Sequence, residues 1–271
     1  MSSGDPAWPT DEAILSQENE IRAGVSERQN LGLKEPLTEL AKEYASGSQV
    51  FQTKIRQLAA TYPAFRRARG DGNCFFRSFL CSFLEDLMLR TSPDEQSMKR
   101  AVLHSWRSML VECGFQELVF EDALEALLDL VQQVSAPDPI SLDDLAARLS
   151  DESMSSYCIM LLRMITSCEL QRRSQHFSPF VISMQEEGMT VQDFCRRHVE
   201  PMGEESDHLH LVAMADALQT PMRVVYLDNA VGADGCAVVN HHDFIPEGMA
   251  VAVPQITMLY RPGHYDILYT V

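Results

Sequence analysis

Gly70-Asp71-Gly72-Asn73-Cys74-Phe75-Phe76-Arg77-Ser78-Phe79-Leu80-Cys81-Ser82-Phe83-Leu84 is a glycine-rich turn that runs straight into an apolar segment. Phe75, Phe76, Phe79, Leu80, Phe83, Leu84 and Leu87 recur at helical spacing, which predicts a helix opening at Cys74. A thiol there meets unpaired backbone N–H groups and the positive end of the helix dipole, and both favour the thiolate. Such surroundings lower a thiol pKa from about 8.5 to about 3.5–7.5. The same N–H groups suit the oxyanion of a tetrahedral intermediate, and Gly72 lets substrate backbone approach closely. On position alone, a buried structural cysteine explains Cys74 equally well.

A thiolate nucleophile needs a base, and the base needs an orienting group. Gly263-His264-Tyr265-Asp266-Ile267-Leu268-Tyr269 offers both. In an extended strand residues i and i+2 share a face, so His264 and Asp266 point together and Tyr265 and Ile267 point the other way. The carboxylate is expected on the imidazole Nδ1–H, leaving Nε2 to face the thiol. By itself, a His and an Asp on an edge strand are a common surface feature.

The other histidines offer less. His208 and His210, in Glu204-Glu205-Ser206-Asp207-His208-Leu209-His210, diverge at i,i+2 and lack the H-E-x-x-H spacing of a zinc site. They read as a surface loop in reach of substrate rather than as metal ligands. His241 and His242 read as a loop, and His104, His176 and His198 as helix-surface residues. There is no phosphate-binding glycine loop and no G-x-S-x-G elbow. The search for a nucleophile converges on Cys74.

Outward from these motifs, residues 1–10 read as a tail, and 11–22 as a short polar helix whose thin stripe, Ile14 and Ile21, needs a surface to dock on. Residues 23–35 read as a linker, so the main domain is expected over 36–271. Within it, Leu37, Leu40, Ala41 and Tyr44 form one helical stripe ended by Gly47, and Val50, Phe51, Ile55 and Leu58 another ended before Pro63. Phe65–Arg69 is extended and basic. Ser92-Pro93-Asp94-Glu95, Ser141-x-x-Asp144 and Thr190-x-x-Asp193 are helix starts, so 94–219 is mostly helix. Met222–Leu227, Gln255–Tyr260 and 264–269 read as strands. A helical body packed on a small C-terminal sheet is an α+β fold.

The 271 residues amount to one large domain with an appendage or to two domains, and 45% hydrophobic with 23% charged residues places the chain among globular proteins. With 22 Lys and Arg against 39 Asp and Glu, the net charge is −17, which disfavours nucleic acid and anionic membranes and leaves neutral or basic protein partners. Seven cysteines, odd in number and without C-x-x-C pairs, give neither a disulfide framework nor a zinc ribbon, so a reducing compartment is expected. The start of the chain lacks the order of a signal peptide, and Arg163 interrupts the best apolar run, Ile159–Ile165. A cytoplasmic or nuclear monomer is expected, needing neither metal nor organic cofactor.

Asp71-Gly72-Asn73-Cys74-Phe75-Phe76-Arg77 together with Gly263-His264-Tyr265-Asp266-Ile267-Leu268-Tyr269 resembles the ovarian-tumour (OTU) family of deubiquitinating cysteine proteases. Val199–His210 and Leu259–His264 narrow the resemblance to the otubains, and Asp11–Ile14 with Lys42–Ala45 to their longer form, so it runs from about residue 11 to the end. The resemblance implies a papain-like OTU fold that hydrolyses isopeptide bonds, with linear peptide bonds as a second class, at the C-terminal glycine of ubiquitin in polyubiquitin chains. It implies Cys74 as nucleophile, His264 as general base, Asp266 as orienting acid, and Asp71 as a shaper of an oxyanion hole whose donors come from the backbone of 71–74. Glu205, Asp207 and His208 are implied to lie near the catalytic histidine and meet ubiquitin, and residues 1–35 to form a tail and a ubiquitin-binding arm. The alternative it carries is a non-catalytic inhibitor of ubiquitin-charged conjugating enzymes. The triad alone also fits a general protease of unfolded peptides.

Overall fold

A computed structural model describes residues 29–45, 49–184, 188–232, 235–249 and 253–270. The helix expected over 11–22 lies outside them. Strand β1 (Leu31–Pro36) leads through a 3-10 turn (Leu37–Lys42) to α1 (Gln49–Ala59) and β2 (Ala64–Ala68). The helical body follows as α2 (Cys74–Leu89), α3 (Pro93–Glu112), α4 (Glu117–Val134), α5 (Leu142–Ser150), α6 (Glu152–Arg172) and α7 (Ser174–Met184). A short α8 (Val191–Phe194) continues into a π-helical turn (Cys195–Val199), and α9 (His208–Ala217) precedes β3 (Met222–Tyr226), β4 (Asn240–Phe244), β5 (Ile256–Arg261) and β6 (His264–Tyr269). The expected helix starts hold: Ser92, Ser141 and Thr190 accept the N–H groups of Glu95, Asp144 and Asp193.

The strands form one sheet in the order β1-β2-β6-β5-β3-β4, antiparallel throughout except for the β3–β5 pair. The inner strands send side chains to both faces and feed two apolar layers. Met222, Val224, Ile256, Met258, Tyr265 and Ile267 join the main core with the helical body. Val225, Leu227, Leu259 and Leu268 pack on the opposite side with Leu37, Leu40, Phe51 and Ile55. Helix α2 is buried on all sides, its polar Arg77, Ser78, Ser82, Glu85 and Asp86 included. A helix this rich in apolar residues on every side belongs in the interior, and here it delivers Cys74 to the start of β6.

Three expectations are corrected. The stretch read as linker contains β1, which pairs with β2, so a domain boundary at residue 36 would cut an edge strand from the sheet. His241 and His242 lie in β4, paired with Val225 and Val224, rather than in a loop. Cys113, the C-cap of α3, and Cys168 of α6 form a disulfide, 55 residues apart in sequence. The odd count excluded a complete framework; it left room for one bridge between neighbouring helices.

Candidate active site

Cys74 is the first residue of α2 and is 5% exposed. The Tyr265 N–H of β6 donates to its Sγ at 3.4 Å, which joins the helix start to the strand carrying His264 and Asp266. His264 Nε2 lies 2.9 Å from Asp266 Oδ1. This reverses the expected ring orientation: Nε2 takes the carboxylate, so the ring's hydrogen bond to Cys74 falls to Nδ1. Nδ1 faces Gly70, where a Cβ would come within 3.3 Å of it. A glycine there leaves the ring its place against the thiol.

Asp266 is fully buried, and its other contacts hold it in place. Ala68 N–H donates to Oδ1 at 3.1 Å and Arg261 Nη2 to Oδ2 at 2.7 Å. Burial alone would raise its pKa; His264 and Arg261 outweigh it and hold the carboxyl below its ordinary range. Burial likewise works against a charged His264. The hydrogen bonds and charges of Asp266 and Cys74 overcome it, and the imidazole pKa is pushed up to about 9.

Asp71 sits in the turn before Cys74 and is gripped from two sides. Arg77 donates to both of its oxygens at 2.8 Å, and Arg69 Nε to Oδ2 at 2.9 Å. Burial pushes the carboxyl up, but these arginines bring it down to about 2. Asp71 Oδ1 also accepts the Asn73 N–H at 3.0 Å, which withdraws that amide from the expected set of oxyanion donors. Gly72 has φ 78°, and a Cβ on it would fall 1.8 Å from the Gly203 carbonyl oxygen, so the two loops touch backbone to backbone.

One residue central to this loop carried no site motif in the sequence. Arg163, fully buried in the middle of α6, donates from Nε and Nη2 to Asn73 Oδ1 at 3.2 and 2.8 Å. It also reaches Gly72 O at 3.0 Å, Val199 O at 2.9 Å and Glu204 O at 2.7 Å. Asn73 Oδ1 accepts the Gly203 N–H as well, at 3.0 Å. The available signal was a lone charge within an otherwise apolar helical run, which must find partners when the helix is buried.

The segment 204–210 divides. Glu205 is exposed, with its carboxylate against the turn before His264: a Cβ on Gly263 would lie 3.5 Å from Oε1. His208 is exposed and its ring lies 5.0 Å from that of Phe244. Asp207, by contrast, is occupied as the N-cap of α9, accepting Leu209 N–H at 2.9 Å and pairing with His210 Nδ1 at 2.8 Å. His210 is buried rather than in a surface loop, and its Nε2 meets the His198 carbonyl at 3.1 Å.

Burial pushes the thiols of Cys158 and Cys195 up to about 12, and Cys81 higher still, so these behave as inert core residues. Among the described residues, no three His, Cys, Asp or Glu side chains gather as metal ligands. A cleft of about 720 Å³ opens beside His264, lined by Tyr44, Phe51, Arg67, Gly70 and Arg261. An aromatic row of His242, Tyr226, Tyr260 and Tyr265, with ring centroids 5.1–5.2 Å apart, crosses the sheet and ends at the residue that touches Cys74. Thiol, imidazole, buried carboxylate and a helix N-terminus together can form and resolve an acyl-thioester.

Known proteins resemble this chain over most of its length. A model of the peptidase C65 otubain family matches residues 24–270. The chain is 43% identical over 249 residues to ovarian tumor domain-containing deubiquitinating enzyme 1 of Arabidopsis thaliana, covering 88% of this chain and 80% of that protein. It is 41% identical over 269 residues to ubiquitin thioesterase OTUB1 of Homo sapiens, covering 99% and 93%. The solved complex of h/ceOTUB1 with ubiquitin aldehyde and UBC13~Ub matches with TM-score 0.83 at 30% identity, covering 96% of this chain and 98% of that one.

Proposed function

The chain belongs to the peptidase C65 otubain family, and from that premise we propose that it is a cysteine-type deubiquitinase acting at the C-terminal glycine of ubiquitin. The observation that carries this reading is the joining of Cys74, at a helix start, to His264 and Asp266 on a strand whose Tyr265 lies 191 residues further on.

His264 takes the thiol proton of Cys74, giving a thiolate–imidazolium pair that buried Asp266 stabilises. The thiolate attacks the terminal glycine carbonyl, and the oxyanion forms at the N-terminus of α2. Collapse breaks the C–N bond, and the imidazolium protonates the departing lysine amine. His264 then takes a proton from water, whose attack on the thioester releases ubiquitin and restores the thiol. Asp71 acts indirectly by shaping the loop. Gly70, which has no side chain beside the His264 ring, leaves room for an extended Gly-Gly tail as substrate. Because β1 is part of the sheet, the catalytic unit is best drawn from residue 31 onward, with the arm before it.

Incubation of wild type and Cys74→Ala with di-ubiquitins of every linkage tests the reading. Cleavage by wild type alone supports it and reports the linkage; cleavage by both proteins, or by neither when both are folded, contradicts it.

A second activity has its own support. Two solved OTUB1 complexes that contain ubiquitin-charged UBC13 or UBCH5B match this chain with TM-scores of 0.83 and 0.81 over 96% of its length. Binding to a ubiquitin-charged conjugating enzyme would block chain synthesis without using the thiol. Inhibition that survives in Cys74→Ala supports this role, and its loss there removes it.

A further inference from the structure

Arg163 and Asp71 hold opposite ends of one peptide. The Gly72–Asn73 carbonyl accepts from Arg163 Nη2 at 3.0 Å, and the N–H of the same peptide donates to Asp71 Oδ1 at 3.0 Å. A planar trans peptide held at both polar ends cannot rock about its axis. The next peptide, Asn73–Cys74, directs its carbonyl into α2, where it accepts the Arg77 N–H at 3.0 Å. Its own N–H, on Cys74, is trans to that carbonyl and so turns out of the open end of the helix. This is where the oxyanion of an attacked carbonyl would need a donor.

The acceptors of Arg163 are unusual for a buried cation. Three are backbone carbonyls and one is the Asn73 amide oxygen, so every group bonded to the guanidinium is neutral. Its face lies 4.7 Å over the Phe76 ring, which fixes the plane of the fork. A planar fork at that spot reaches the Gly72 loop and the Val199–Glu204 loop at once, which a lysine ammonium cannot do.

We propose that Arg163 is a positioning residue for the oxyanion donor at Cys74, an inference that rests on the hydrolase reading. It fixes the Gly72–Asn73 peptide directly and, through Asn73 Oδ1, locks that peptide to Gly203. Its effect is on the stabilisation of the tetrahedral intermediate rather than on formation of the thiolate.

Arg163→Lys keeps the charge and removes the fork; Asn73→Ala keeps Arg163 and removes the shared acceptor. Each is compared with wild type in hydrolysis of the di-ubiquitin that wild type cleaves fastest, in alkylation of Cys74 by iodoacetamide across pH, and in thermal midpoint. Alkylation is displacement at a saturated carbon: it needs the thiolate and forms no oxyanion. For both variants kcat is expected to fall by about 10²-fold, the size of losing one oxyanion donor, while the alkylation profile stays that of wild type. KM is expected to stay within about two-fold, as for an interaction made only in the transition state. A folded variant with wild-type kcat, or alkylation that falls in step with kcat, overturns the proposal. If Arg163→Lys does not fold, Asn73→Ala decides by the same criteria. Wild type that is alkylated at Cys74 yet cleaves no di-ubiquitin is a distinct result, which takes down the hydrolase reading and this inference with it.

Discussion

Asp266 Oδ1 stands 2.9 Å from His264 Nε2, and the Asp266 side chain has no exposure to solvent. Held there with its charge, the carboxylate helps keep the imidazole protonated up to about pH 9 instead of its ordinary 6.5. The group that protonates the leaving amine therefore persists through neutral pH. Hydrolysis is expected to fall on the alkaline side as pH passes about 9. Asp266→Asn should move that limb acidward by about a unit or more. A pH profile of kcat/KM for the two proteins checks this, and an unmoved limb would separate Asp266 from the imidazolium. The raised pKa also adds stability that is fully present below pH 6.5 and fades as pH rises through about 9.

Gly72 cannot carry a side chain without displacing a neighbouring backbone. Its φ is 78°, and the added Cβ would sit 1.8 Å from the Gly203 oxygen. Gly72→Ala is therefore expected to push apart the loops that Arg163 ties together. Hydrolysis should drop by about 10²-fold or more, the scale set by small displacements of reacting groups. Gly114 has φ 94° and open space around its Cβ position, so Gly114→Ala carries backbone strain alone and should leave kcat unchanged. Parallel assays of the two variants separate local strain from loop contact.

The pair formed by Lys54 and Asp228 is asymmetric. Lys54 Nζ lies 2.6 Å from Asp228 Oδ1, with the lysine side chain fully buried and the aspartate 33% exposed. Asp228→Ala strands a buried ammonium and should cost about 3–5 kcal/mol. Lys54→Met leaves a carboxylate that water can reach and keeps an apolar stem in the core, so its cost should be smaller, about 1 kcal/mol. Urea unfolding of both variants tests the order; equal losses would mean that burial of the lysine does not govern the pair.

Cys113 and Cys168 close a loop of 55 residues between α3 and α6. Chain entropy alone makes such a bridge worth on the order of 4 kcal/mol. Peptide mapping without reductant should recover the 113–168 cross-link, and reduction should lower the thermal midpoint. Cys113→Ser should then show no further change on reduction. A midpoint insensitive to reductant in wild type would show that helix packing alone holds this contact.

Much of the site could be read locally. The apolar period after Cys74 marks a helix start, and a helix start carries free N–H groups wherever it is found. The i,i+2 spacing of His264 and Asp266 likewise puts them on one face of any strand. The three Ser and Thr caps were legible because the N–H groups they accept lie three residues away. The two strands that escaped reading, β1 and β4, are the two edges of the sheet. Edge strands carry polar and charged residues because one side must discourage pairing with other chains, so they lack the alternation by which strands are recognised. Leu-Gly-Leu-Lys-Glu-Pro and Asn-His-His-Asp-Phe show that trade directly.

The sequence by itself determined the nucleophile's place at a helix start, the shared face of His264 and Asp266, the helical middle and the α+β class. Each depends on residues within one turn or two steps along a strand, where covalent connection fixes the geometry. Tertiary structure alone decided which imidazole nitrogen meets Asp266, that Asp207 serves α9 while Glu205 lies against the turn before His264, and that Cys113 meets Cys168. It also decided the use of Arg163. That arginine and Asn73 are 90 residues apart, and nothing local predicts their meeting. Only the burial of α6 beside α2, driven by apolar residues on both, brings a guanidinium between the Gly72–Asn73 turn before the nucleophile and the Val199–Glu204 segment.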